Sequence, residues 1–402
     1  MWNSYDARFM RRVYMDNSAT SFPKPPEVIA AMVAFARDCG ASAGRGAYAE
    51  AKACGETIAA CRARVAEVIN AEGPERIVFT LNCTEALAIG IRGVLNTAEG
   101  AHAVTTTMDH NSVLRPFNAL AEQTALEVTF VPADGRTSLI DPDDIRKALR
   151  PSTKLICVVH ASNVTGGLQP VGEVAAIARQ AGVPCLIDAA QSVAHVPIDV
   201  QAWGADMVAF PGHKGLMGPL GTGVLYVRPG FEAELPTMKE GGTGTVSERP
   251  VQPQTMPDKY EVGSHNAIGL AGLLAGVEWI LSRGVPQLRQ HDRSLCEAFL
   301  AETDGAEGLT VYGPRDLDDR TGVFSVSVAG DGPKALAGEL ERRFGILTRP
   351  GIHCAPLAHE TIGTFPEGTC RLSFGAFTTL EDVEYAAAAL RELAVAAVGS
   401  GR

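Results

Sequence analysis

Between Glu27 and about Val227, short apolar runs alternate with stretches of helical period. The runs are Ile77-Val78-Phe79, Ala103-Val104-Thr105, Val128-Thr129-Phe130, Leu155 to Val159, Cys185-Leu186-Ile187, Met207-Val208-Ala209 and Val224-Leu225-Tyr226. None carries an interior charge, as expected of strands buried on both faces. Between them Ile58, Cys61, Val65 and Val68 recur at spacings of three and four, and Glu85–Leu95, Val113–Ala121 and Val174–Ala181 also read as helices. Repeated strand-helix alternation predicts an α/β fold whose sheet is mostly parallel and flanked by helices.

After Tyr226 the texture changes. Gly241-Gly242-Thr243-Gly244 and the prolines at 250, 253 and 257 form a long loop, followed by a helical pattern from Ile268. A long helix around Gln287–Glu302, strands at Leu309–Tyr312 and Val323–Val328, a helix with Leu336, Leu340 and Phe344 on one face, and a final helix from Thr379 to about Val398 complete an α+β unit. The expected division is a large domain over 24–262 and a small domain built from 1–23 and 263–402.

The 402 residues leave room for two or more domains. A formal charge of −11 with no basic cluster argues against nucleic acid or an anionic membrane as partner, leaving small molecules and other proteins. Nine cysteines, an odd number without a C-x-x-C pair, fit neither a disulfide framework nor a zinc ribbon, so a reducing compartment is expected. The longest apolar stretch, Ile268 to Leu281, is short for a bilayer span and contains Glu278, while the N-terminus mixes Asp6 with Arg8, Arg11 and Arg12. A cytoplasmic location is the resulting expectation.

The segment from Leu186 to Tyr226 is the most informative. Asp188 ends one buried strand and Lys214 lies just past the next. In a parallel α/β sheet both positions face the crevice at the carboxyl ends of the strands. A lysine that forms a Schiff base and a carboxylate that keeps a pyridine nitrogen protonated are what pyridoxal phosphate requires. Taken singly, each residue is equally a lysine on a glycine-rich turn and an aspartate capping a helix. Asn82-Cys83-Thr84 follows the strand at Ile77 and opens a helix, where backbone N–H groups favour a phosphate, although a plain N-cap by Thr84 fits the same pattern.

The chain resembles the class V aminotransferase superfamily of fold-type-I pyridoxal phosphate enzymes, in particular the cysteine desulfurases and selenocysteine lyases of the short-loop type. The matching segments run in order along the chain: YMDNSATSFPKP, IVFTLNCTEAL, MDHNSVLRPF, ASNVTGG, the stretch from Asp188 to Lys214, YEVGSHNAIGLAG, RPGIHCAPL and TCRLSFG. The resemblance implies a seven-stranded sheet in a large cofactor-binding domain. Lys214 is then the Schiff-base lysine and Asp188 the pyridinium partner. Gln191 and Asn163 are hydrogen-bonders of the ring oxygen, and His110 stacks on the ring and takes part in proton transfer. Cys83, Thr84 and His213 serve the phosphate, and Ser264 does so from the partner subunit of a homodimer. Arg371 clamps the substrate carboxylate, with Arg349 and Asn163 beside it.

Two positions depart from the family pattern. Pro211 stands where many relatives carry a phosphate-binding serine, and Gly44, before Arg45-Gly46, stands where they carry a histidine. Cys354 decides the reaction class: in desulfurases the matching cysteine attacks the substrate sulfur as a thiolate, which His353 or a charged substrate adduct would favour. The implied function is conversion of L-cysteine to L-alanine with the sulfur retained as a persulfide on Cys354. A protein or a small thiol would be the acceptor. A selenocysteine lyase, a C–S β-lyase and, less readily, a transaminase are alternatives on the same scaffold. A non-catalytic sulfur carrier or metal-binding protein using His353, Cys354, His359 and Cys370 is a remote one, because this spacing is not that of a recognised zinc site.

Overall fold

The computed structural model describes residues 11–43, 46–96, 100–246 and 248–399. A two-residue strand, β1 (Val13–Tyr14), precedes the main sheet. That sheet takes up all seven predicted apolar runs, as β2 (Ile77–Thr80), β3 (His102–Thr106), β4 (Glu127–Val131), β5 (Thr153–Val159), β6 (Cys185–Asp188), β7 (Met207–Pro211) and β8 (Gly223–Val227). Their order is β2-β8-β7-β6-β5-β3-β4. Strands β4, β3, β5, β6 and β7 are parallel, and β8 runs antiparallel to both β7 and β2. The five residues from Leu155 to Val159 are buried on both sides, as a central strand covered by helices on two faces requires.

On one face pack α1 (Pro26–Ala34), α2 (Ala49–Val68), α5 (Pro142–Ala148), α6 (Val171–Ala181) and α7 (Val200–Trp203); α3 (Cys83–Leu95) and α4 (Asn111–Thr124) share the other core. Helix α3 begins two residues earlier than a Thr84 cap would allow: Asn82 is the cap, its Oδ1 accepting from the Glu85 amide at 2.9 Å. Helix α4 is capped by the His110 ring, whose Nδ1 accepts from the Ser112 amide. Helix α8 (Ala267–Arg283) lies beyond residue 262 in the chain, yet it buries Leu270, Leu273, Val277 and Ile280 in the core shared with α2 and packs against α1.

The second core is assembled from both ends of the chain. Helix α9 (Val285–Thr303), strands β9 (Leu309–Val311) and β10 (Val323–Val328), helix α10 (Pro333–Phe344), strands β11 (Ile346–Leu347) and β12 (Arg349–Gly351), helix α11 (Pro356–Thr361), strand β13 (Thr369–Ser373) and helix α12 (Leu380–Gly399) follow in order. A four-stranded sheet, β12-β13-β10-β9, is antiparallel throughout, and β1 pairs with β11 in parallel. Val13 and Met15 thereby join Leu295, Phe299, Phe324, Phe374 and Leu390 in one cluster. No single described helix is long and apolar enough to cross a membrane.

Two close approaches near the site demand glycine. A Cβ on Gly215, the residue after Lys214, would overlap the carbonyl oxygen of Val193, and one on Gly223 would overlap the backbone of Asn82. The first seats the lysine turn on the segment after β6, and the second brings β8 against the start of α3.

A buried ion pair ties α2 to the segment leading into α8. Arg62 binds Glu261 bidentately at 2.7 and 2.8 Å, and Glu261 also accepts from the Phe79 amide at 2.5 Å and from His265 at 2.6 Å. Burial pushes the Glu261 carboxyl up, but His265 and Arg62 outweigh it and hold the group below the ordinary range. Its contribution to stability is therefore present above the ordinary carboxylate pKa and is lost as pH falls through the lower folded value. Replacing Arg62 by Leu leaves that carboxylate buried without its main cation and should cost about 3–5 kcal/mol in urea unfolding at neutral pH. A loss under about 1 kcal/mol would place this pair among weak surface-type contacts.

Candidate active site

The cleft lies at the carboxyl ends of β5, β6 and β7, faces the start of α3, and has a volume of about 520 Å³ including its mouth. Asp188 and Lys214 both line it. Asp188, the last residue of β6, stands opposite Val159 and Ala209 on the neighbouring strands and is 2% exposed. Its Oδ1 accepts from the Ala190 amide at 2.9 Å and from the Cys83 thiol at 3.7 Å. Burial raises its pKa, while the Ala190 amide, Lys214 and Cys83 oppose the rise. Burial lowers the pKa of the Lys214 amine, with Arg371 and Arg349 adding to the effect and Asp188 opposing it. Burial, reinforced by Asp188, raises the Cys83 thiol well above its ordinary value, so this sulfur is a protonated donor and not a nucleophile.

The lysine turn is held by the segment before α1. The His213 carbonyl accepts from Thr20 Oγ1 (3.0 Å), the Ser21 amide (3.1 Å) and Lys24 Nζ (2.7 Å), and the Lys214 carbonyl from Ser21 Oγ (2.9 Å). Gln191, also in the cleft wall, donates through Nε2 to the Ser18 carbonyl at 3.0 Å. This segment lies in the YMDNSATSFPKP motif, whose pattern alone does not reveal that it fastens the turn.

His110, Asn163, His213, Cys83, Thr84 and Gln191 all line the same cleft as Lys214. His110 is neutral: burial, then Lys214, Arg349 and Arg371, push its pKa down to about 4. Because Nδ1 accepts from the Ser112 amide at 3.0 Å, the ring proton resides on Nε2. His213 is likewise lowered to about 4 by burial and by Lys214 and Lys24, and its buried Nδ1 has no partner. Asn163 donates Nδ2 to the His353 carbonyl at 2.6 Å and leaves Oδ1 unpartnered. Two groups the sequence assigned to a ring oxygen, the amide nitrogens of Asn163 and Gln191, thus already have backbone acceptors.

Cys354 follows β12, just before α11, and is the exposed one of nine free cysteines. His353 and Cys354 adopt left-handed φ values of 53° and 59°, which cost non-glycine residues about 1–2 kcal/mol each. The turn persists because both carbonyls are fastened, that of His353 by Asn163 and that of Cys354 by the Asn111 amide at 2.7 Å. The expectation that His353 favours the thiolate is corrected here. Its ring is buried, contacts the Arg349 carbonyl at 2.8 Å and His359 at 3.2 Å, and has its pKa driven far down by burial and by Arg371. It is a neutral, structural ring and brings no positive charge to the sulfur.

Arg371 and Arg349 stand opposite one another on β13 and β12. Arg371 is buried, binds Asp16 Oδ1 at 2.7 Å and the Asn163 carbonyl at 3.1 Å, and keeps Nε unpartnered. Asp16 was not singled out from the sequence, although it lies in the opening motif. Ser264 is apart from the Lys214 cleft in the same chain; it lines a second cleft with Leu81, Glu85, Gly221 and Lys239. Pro211 lines the first cleft, while Gly44 and Arg45 lie outside the described residues.

Fold and site define a fold-type-I pyridoxal phosphate enzyme. The model of the class-V aminotransferases matches residues 13–386, and the chain belongs to that family. It is 35% identical over 385 residues to a probable cysteine desulfurase of Methanothermobacter thermautotrophicus, covering 95% of this chain and 94% of the relative. A probable cysteine desulfurase of Pyrococcus abyssi is 36% identical over 389 residues, with 95% and 94% covered. The apo structure of a cysteine desulfurase from Thermococcus onnurineus superposes with a TM-score of 0.90 at 33% identity, covering 96% of this chain and 95% of that one. A cysteine desulfurase from Escherichia coli superposes at 0.86 and 28% identity, with 96% and 95% covered.

The residues present fit pyridoxal phosphate. A buried carboxylate stands beside an enclosed amine, and His213 Nδ1 and Asn163 Oδ1 are buried without partners in the cleft wall. The Cys83 and Thr84 amides, the first two of α3, find no acceptor among the described residues.

His110 yields a pH prediction. With a folded pKa below its ordinary value, it contributes stability that is present above pH 6.5 and lost as pH falls towards about 4. In NMR titration of the cofactor-free chain, ring signals assigned by their loss in His110→Gln should hold the neutral position to pH 6.5 and below and move only near 4. A midpoint at or above 6.5 would contradict the neutral assignment.

Proposed function

We propose that this chain is a cysteine desulfurase that takes sulfur from L-cysteine, releases L-alanine and retains the sulfur as a persulfide on Cys354. The observation that carries the reading is the placement of the exposed thiol: Cys354 is tethered through its own carbonyl to Asn111, which sits between the cleft residues His110 and Ser112, and through His353 to Asn163, which itself lines the cleft. The names of the relatives support the same reading.

Pyridoxal phosphate, when bound, supplies an electron sink for the substrate α-carbon. Lys214 would hold it, Asp188 would keep its pyridine nitrogen protonated, and Cys83, Thr84 and His213 would receive its phosphate. The Lys214 amine, lowered in pKa by burial, is suited to accept the α-proton at Nζ once substrate has displaced it. His110, with its proton on Nε2, is a donor towards the cleft and keeps that side free of a second positive charge. Arg349 and Arg371 would take the substrate carboxylate, and the Asp16 pairing pre-sets the Arg371 fork. Cys354 Sγ then forms an S–S bond as the substrate Cβ–S bond breaks. The bonding pair stays with the carbon fragment, which is protonated to alanine, so one cysteine and one thiol yield one alanine and one persulfide.

A homodimer belongs to the proposal. Ser264 cannot serve the cleft of its own chain from its present position, and Phe22, Ile29, Val33 and Leu220 are exposed apolar side chains that a second copy would cover. A cytoplasmic, reducing location and a thiol acceptor for the sulfur complete it.

The test is product analysis from L-cysteine with cofactor-loaded wild type and Cys354→Ala in the presence of a reductant. Alanine from the wild type, reduced by about 100-fold or more in the variant, is expected. Pyruvate from both would make the chain a C–S β-lyase with Cys354 a bystander, and a keto acid with amino transfer would make it a transaminase. Rates on L-selenocysteine that exceed those on L-cysteine and survive Cys354→Ala would favour a selenocysteine lyase.

A further inference from the structure

Two helices end at the same corner of the cleft, and they contribute differently. At α3 the Cys83 and Thr84 amides have no acceptor among the described residues. At α4 every leading amide is engaged: Asn111 donates to the Cys354 carbonyl, Ser112 to His110 Nδ1, and Val113 and Leu114 to the His110 carbonyl. What α4 adds to the cleft is therefore a side chain. The Ser112 hydroxyl lines it, 2.8 Å from Thr84 Oγ1 and 2.9 Å from His110 Nδ1.

The hydroxyl is not needed by the histidine, whose Nδ1 already has the Ser112 backbone N–H. Nor is it committed to Thr84, because either oxygen can be the donor in that pair. An anion at the start of α3 can turn both O–H bonds towards itself without leaving any protein group unpaired. Across the cleft Pro211 offers neither an N–H nor a hydroxyl. Resting on the reading of this cleft as the pyridoxal phosphate site, we propose that Ser112 is a phosphate-binding residue, its hydroxyl supplying with Thr84 the donor that Pro211 does not.

The experiment measures dissociation constants of the full-length cofactor-free chain for pyridoxal phosphate and for pyridoxal, by absorbance and by quenching of tryptophan fluorescence. Ser112→Ala should weaken pyridoxal phosphate by about tenfold or more, as loss of a hydrogen bond to a charged group does, and leave pyridoxal unchanged. Ser112→Thr, which keeps the hydroxyl, should bind the phosphate form like wild type. The pyridoxal arm also reports whether the cleft of each variant is intact. Unchanged affinity of Ser112→Ala for pyridoxal phosphate would overturn the assignment. So would an equal loss for both ligands, since the hydroxyl would then act through His110. A wild-type chain that binds neither would overturn the reading of the cleft and the assignment with it.

Discussion

A carboxylate closed inside the main sheet sets the terms for everything around it. Asp188 ends a run of fully buried apolar residues, and its neighbours across the sheet are Val159 and Ala209. Left without compensation such a group is costly and would take up a proton. The Ala190 amide, the Cys83 thiol and the nearby Lys214 amine oppose that rise. The lysine has to be brought to it on the turn after β7, and the turn is fixed on two sides, by the glycine contact of Gly215 with Val193 and by Thr20, Ser21 and Lys24 on the carbonyls of His213 and Lys214. The N-terminal segment thereby links the second core, through Met15, to the lysine of the first.

The polar groups around this pair are arranged to limit competing charge. Burial keeps His110, His213 and His353 neutral, and the Arg371 guanidinium meets the cleft wall through the Asn163 carbonyl. Arginine retains its charge where a buried lysine or histidine gives it up, which suits Arg349 and Arg371, partners across β12 and β13, to an anionic substrate group. Cys354 follows β12, the strand that carries Arg349. Its presentation rests on a strained double left-handed turn held by two hydrogen bonds, so the cysteine is delivered by a fastened backbone and not by a loop free of contacts.

Much of this was legible in the sequence, for identifiable reasons. Strands β2 to β8 announce themselves as uncharged apolar runs, which burial on both faces imposes on the central strands and the edge strand β4 shares, and Asp188 and Lys214 stand out by ending or following such runs. The short strands β1, β11 and β12 do not, since two or three residues carry no periodicity and the pairing of Val13 with Ile346 spans almost the whole chain. The capping of α3 by Asn82 instead of Thr84 depends on where the strand lets go, which pattern fixes only loosely. The neutrality of His353, the pairing of Arg371 with Asp16 and the meeting of Ser112 with Thr84 are consequences of burial and of long-range contact. No local motif encodes them.

The central claim is that sulfur passes from L-cysteine to Cys354. One turnover of the cofactor-loaded chain with sulfur-labelled L-cysteine, followed by alkylation and peptide mapping by mass spectrometry, locates the transferred atom. The account predicts one added, reductant-labile sulfur on the peptide containing Cys354 and none on those containing the eight other cysteines. Label on another cysteine, or alanine released with no label on Cys354, would contradict it.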